Sequence, residues 1–112
     1  MLTSRNYKIL IVDDSVAIVK YLEYILSSQS FKLIVAHNAE DCITLVNLEK
    51  PDIVFLDINL PRMNGLVACR ILKDKFPDLP IIIITSELDS IEKHNAFQAG
   101  ADDFIILFAR KP

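Results

Sequence analysis

The sequence predicts an α/β fold: one open, doubly wound parallel sheet with helices on both faces. Five apolar runs of strand length, at 8–13, 31–36, 52–57, 80–85 and 103–108, recur along the chain. Most are continuous rather than alternating, as expected of strands covered on both faces, and Val and Ile are frequent in them. Apolar residues at helical spacing separate the runs. A strand, helix, parallel strand connection is right-handed almost without exception, and repeated along a chain it produces this architecture.

Taken in order, Lys8 to Val12 opens the first strand, and Ile18, Leu22, Ile25 and Leu26 give the stripe of a first helix. Phe31 to Ala36 forms the second strand, followed by Ala39, Ile43 and Val46 at helical spacing. The run Ile53-Val54-Phe55-Leu56 precedes a third helix marked by Leu66, Cys69, Leu72 and Phe76. Pro80 to Ile84 is the fourth strand, Ile91, Asn95 and Ala99 mark the fourth helix, and Asp103 to Phe108 is the fifth strand. Pro51, Pro77 and Pro80 stand just before strands, where a preceding helix must stop, and Gly100 suits a helix C-terminus.

With 112 residues, the chain is expected to form a single domain over 1–112. Hydrophobic residues at 52% and charged residues at 24% fit a folded globular protein rather than a disordered one. No apolar run approaches a membrane span, and residues 1–8 lack the apolar stretch of a signal peptide, so a cytoplasmic location without membrane association is expected. Cys42 and Cys69 have no CxxC spacing and read as reduced thiols. A net charge of -3 without a basic cluster argues against direct contact with nucleic acid. With only Gly65 and Gly100 available, no phosphate-cradling glycine loop can be built, which removes the best support for nucleotide binding.

In an open parallel sheet, ligands bind beyond the carboxyl ends of the strands, where the crossover direction reverses. The first strand ends in Asp13-Asp14, the third in Asp57 and the fourth in Thr85-Ser86, which brings three carboxylates and Thr85 to one edge. Singly, Asp13 or Asp14 could cap the next helix and Thr85 a turn. Asp57 closes an apolar strand and needs a partner. Clustered carboxylates repel one another unless a cation joins them, and an all-oxygen set suits Mg²⁺. A carboxylate beside such a metal can attack phosphorus and form an acyl phosphate, so Asp57 is the candidate nucleophile.

These residues carry a family resemblance. Asp13-Asp14, the stretch Asp57-Ile58-Asn59-Leu60-Pro61-Arg62-Met63-Asn64-Gly65, Thr85-Ser86, and Gly100-Ala101-Asp102-Asp103-Phe104 resemble the successive motifs of response-regulator receiver domains. The resemblance implies a flavodoxin-like sheet of order 2-1-3-4-5. It implies Asp57 as phosphoacceptor, with Mg²⁺ held by Asp13, Asp14, Asp57 and the backbone carbonyl of Asn59. Thr85 matches the switch hydroxyl and Phe104 the switch aromatic, although a core position explains Phe104 equally well. The implied partners are a sensor histidine kinase or phosphotransfer protein and a downstream protein target or effector domain. The output is a binding event rather than enzymatic turnover.

Two departures stand out. Receivers carry a Lys-Pro pair directly after the fifth strand, whereas the matching residues here are Leu107-Phe108. Lys111-Pro112 comes four residues later, ~13 Å along an extended strand. The family's usual last helix is also absent, which is expected to leave one sheet face and the run 104–109 partly uncovered. A partner covers it, a second copy does so as a homodimer through the fifth-strand region, or the chain is a shortened form of a longer protein. Leu107 and the missing helix support an alternative, a pseudo-receiver without phosphorylation-dependent signalling. A haloacid-dehalogenase-like phosphatase would want Asp-x-Asp at the nucleophile, where this chain has Asn59 in the second acidic position.

Overall fold

The structure, a computed structural model, describes residues 7–27, 30–85 and 90–107, with the side chains of residues 90 and 91 left out. Strands β1 (Tyr7–Val12), β2 (Phe31–Ala36), β3 (Ile53–Asp57), β4 (Ile81–Thr85) and β5 (Asp103–Ile106) alternate with helices α1 (Val16–Leu26), α2 (Ala39–Glu49), α3 (Gly65–Lys75) and α4 (Ser90–Gln98). All strand pairs are parallel and the sheet order is β2-β1-β3-β4-β5, as the sequence and its resemblance anticipate. Among the described residues, no helix is long and apolar enough to cross a membrane.

Strand boundaries move by one residue, or by two at the end of β5, where the backbone requires it. Tyr7 joins β1 because it pairs with Phe31, and Asp13 lies just past the strand rather than within it. Asp52 and Pro80 precede their strands instead of opening them, although the Asp52 N–H donates to the Lys8 carbonyl and the Pro80 carbonyl accepts from Val54 N–H. β5 ends at Ile106, yet Leu107 N–H still donates to the Thr85 carbonyl at 2.9 Å. Phe108, expected in this strand, and Lys111 lie outside the described residues.

Helices α1, α2 and α3 each begin where a short polar side chain can satisfy a free N–H group. Ser15 accepts from Ile18 N–H, Asn38 from Asp41 N–H and Asn64 from Leu66 N–H. At the far end of α4, Gly100 takes a φ of +99°, and the next N–H, from Ala101, donates back to Ala96 O.

The two sheet faces are covered unequally. Helices α2, α3 and α4 pack on one face through Ala39, Cys42, Val46, Ala68, Cys69, Leu72 and Ala96, with Ala99 just past α4, and enclose Leu10, Val12, Val54, Leu56, Ile81 and Ile83. On the other face, α1 contributes Val19 and Leu22 over Ile9, Ile11 and Ile84. Phe55 and Ile82 are only half-buried there, and Ile105 is exposed. This bears out the expected uncovered surface among the described residues. Two helical stripes are corrected: Ile25 is exposed on a flank of α1, with Val19 buried instead, and Asn95 is exposed while Ala96 faces the sheet. In both cases apolar spacing alone leaves the helix's rotation open by one residue.

Candidate functional site

Register brings the carboxylates together. Val12 pairs with Leu56, so the next residues, Asp13 and Asp57, leave adjacent strands at the same level. This is the point where the crossovers reverse direction, from β1–β2 on one side to β3–β4–β5 on the other. One carboxylate oxygen from each of Asp13, Asp14 and Asp57 lies within 4.8 Å of the others. Asp13 is buried, Asp57 half-buried and Asp14 exposed. The cluster therefore opens to solvent on the Asp14 side.

Local backbone bonds hold these side chains in place. Asp13 Oδ1 accepts from Ser15 N–H at 2.9 Å, which leaves capping of α1 to Ser15 rather than to either aspartate. Asp13 N–H donates to Ala36 O at 3.1 Å. The Asp57 carboxylate accepts from the N–H groups of Asn59 and Ile58. Behind it, Gly65 N–H donates to Ile58 O at 2.8 Å and closes the loop from β3 to α3. A side chain at Gly65 would run into the Asp57 carbonyl and come within 2.9 Å of Ile58 Cα, so only glycine lets α3 start this close to the strand end.

The electrostatics are those of a site short of positive charge. Burial pushes Asp57 from 3.8 up to about 7; Asp13 and Asp14 add repulsion, against the opposing N–H bonds of Asn59 and Ile58. Burial also raises Asp13; the Ser15 N–H bond opposes it, repulsion from Asp14 adds to the rise and a bond shared with Asp57 works against it, with burial the largest influence. Two carboxyls this close share a proton or accept a cation. A set made wholly of oxygen donors, partly desolvated and open on one side, fits a hard divalent ion that keeps some of its waters. The structure therefore contains a candidate metal-binding cluster.

Of the other expected residues, Thr85 is buried at the end of β4, one position beyond the level of Asp57, which pairs with Ile84. Phe104 is half-buried and packs against the larger core cluster. Asn59 is exposed on the loop directly after Asp57. Leu107 packs into the apolar cluster on the α1 face. His37 also lies at this edge of the sheet. Its ring is exposed, but Nδ1 donates to the Asp13 carbonyl at 3.2 Å. It directly follows β2, so the strand-end rule that finds Asp13 and Asp57 finds His37 as well.

Comparison with known proteins agrees with this geometry. The family model of the response regulator receiver domain matches residues 9–106. The chain is 34% identical over 100 residues to the alkaline phosphatase synthesis transcriptional regulatory protein PhoP of Bacillus subtilis, covering 89% of this chain and 42% of that protein. It is 35% identical over 99 residues to a probable transcriptional regulator, ycf27, of Cyanophora paradoxa, covering 88% and 41%. It thus spans about two fifths of these curated relatives. The BeF3-activated N-terminal receiver domain of Klebsiella pneumoniae RstA superposes with a TM-score of 0.85 at 28% identity, covering 94% of this chain and 88% of that one. Fold, acidic cluster and sequence together show that the chain belongs to the response-regulator receiver-domain family, a class of phosphoacceptor signalling modules rather than turnover enzymes.

Proposed function

We propose that Asp57 is the phosphoacceptor of this chain and works with Mg²⁺. The observation that carries this reading is the cluster of three carboxylates within 4.8 Å, in which the innermost strand end supplies Asp57. Asp13, Asp57 and the Asn59 carbonyl would hold the ion, with Asp14 binding directly or through water. Bound there, Mg²⁺ would neutralise the acidic cluster and the incoming phosphoryl oxygens.

The chain's own residues supply the rest. An Asp57 oxygen attacks phosphorus, the bond to the donor imidazole or acyl oxygen breaks, and the donor leaves with that electron pair. The N–H groups of Ile58 and Asn59 hold the carboxylate in position for attack. Thr85, at the adjacent strand end, then bonds the new phosphoryl oxygens, and Phe104 follows it, which changes the surface around α4 and β5. The donor is a sensor histidine kinase or phosphotransfer protein, and the receiver of the signal is a protein target or effector domain. We place the module in the cytoplasm as one domain over 1–112, without direct nucleic-acid or membrane contact. A homodimer through the β5 region is its proposed self-association.

One observation favours a second reading, the pseudo-receiver. Leu107 occupies the family's lysine position, and its side chain is taken up by apolar packing. Acetyl phosphate with Mg²⁺ separates the two. A gain of one phosphoryl mass, lost in Asp57→Asn and on chelation, is expected. A folded protein that gains no mass would leave the pseudo-receiver.

A further inference from the structure

The loop that carries Asn59 is tightly wound and partly strained. Leu60 N–H donates to Ile58 O at 3.0 Å and Met63 N–H to Pro61 O at 2.8 Å, two turns that each close over a single residue. Arg62, the residue over which the second turn closes, takes a φ of +67°, a left-handed conformation unfavourable for a residue with a side chain. Such a conformation persists where the surroundings hold it. Arg62 Nη2 lies 3.4 Å from Glu40 Oε1 in the first turn of α2, an ion pair bridging two connections on the site's side of the sheet.

We infer that the Arg62–Glu40 pair is a positioning clasp that fixes the Ile58–Asn64 loop and so places the Asn59 carbonyl for the metal. This rests on the metal reading proposed above. Both side chains are largely exposed, at 64% and 45%, so the clasp is worth up to roughly fivefold in an equilibrium.

The sign of one substitution separates this role from simple charge. Arg62 is a cation, so acting through space alone its removal in Arg62→Gln would leave Mg²⁺ binding unchanged or make it tighter. Loss of a clasp makes it bind more weakly. Calorimetric Mg²⁺ titration is expected to show Arg62→Gln and Glu40→Gln each two- to fivefold weaker than the parent chain. The exchanged pair Glu40→Arg with Arg62→Glu should recover at least half of that loss. In the metal-free protein, the amides of Leu60, Met63 and Gly65 should exchange faster in Arg62→Gln. Unchanged or tighter binding by Arg62→Gln, or no recovery in the exchanged pair, overturns the clasp. If the parent chain binds no Mg²⁺, the metal reading fails instead, and amide exchange alone decides whether the pair holds the loop.

Discussion

Burial, with Asp13 alongside, lifts the Asp57 carboxyl from 3.8 to about 7. Because this folded-state value lies above the unfolded one, the folded protein binds more protons between those limits, and its stability falls as pH rises through them. The contribution is fully present below about pH 4 and lost near pH 7. At ~1.4 kcal/mol per unit the whole shift would amount to ~4 kcal/mol, and solvent around a half-buried group reduces this to ~2 kcal/mol. Asp57→Asn keeps an acceptor for the Ile58 and Asn59 N–H groups and removes the charge. It is therefore expected to stabilise the metal-free protein at pH 7.5 by about that much and to flatten the pH profile, as urea unfolding at pH 5 and 7.5 would show. A variant no more stable than the parent at pH 7.5 would mean the carboxylate is better solvated than its surroundings suggest. The convergence of Asp13, Asp14 and Asp57 was legible in the sequence because each directly follows or ends an apolar strand. His37 obeys the same rule, but a lone histidine after a strand carries no chemistry of its own in the sequence, and only the structure ties it to Asp13.

The connection between β3 and α3 shows what residue patterns leave out. Asp57 and Asn59 stand out as chemistry, but Gly65 reads only as part of a motif. Its importance is steric, since any Cβ meets the backbone of Asp57 and Ile58. Gly65→Ala is expected to cost ~1–3 kcal/mol, the range for overpacking a tight site. It should also reduce phosphorylation by acetyl phosphate more than that stability loss explains, because the displaced backbone carries the nucleophile. Parallel unfolding and mass-shift measurements would test this, and a variant destabilised but phosphorylated at the parent rate would confine Gly65 to a folding role. Helix rotations were likewise only partly legible. On α1 the outer residues Tyr21, Tyr24 and Ile25 are apolar too, so spacing could not tell which stripe faces the sheet. The structure turns Val19 and Leu22 inward, because that stripe meets Ile9, Ile11 and Ile84.

At the scale of the whole molecule, the unequal covering of the sheet has an energetic signature. Strand neighbours Phe55 and Leu56 point to opposite faces, Leu56 into the cluster closed by three helices and Phe55 towards the face on which α1 packs. Leu56 is fully buried, so Leu56→Ala should cost ~2–5 kcal/mol through lost burial and the cavity it leaves. Phe55 is larger, and fully buried it would cost as much or more, but it is only half-buried and lines an apolar groove with Ile9, Leu26, Phe31 and Ile53. Phe55→Ala is therefore expected to cost less than Leu56→Ala in a dilute monomer. The proposed homodimer narrows that gap in a concentration-dependent way. If a second copy covers the groove and β5, unfolding is linked to dissociation and the midpoint rises with protein concentration. Phe55→Ala should then approach the cost of Leu56→Ala at high concentration, and Ile105→Lys should abolish the concentration dependence without changing the unfolding free energy of the dilute protein by more than ~0.5 kcal/mol. Urea unfolding over a hundredfold concentration range, paired with sedimentation, measures both quantities. Midpoints independent of concentration, with Phe55→Ala the milder variant throughout, would remove the homodimer and leave this face open in the isolated chain.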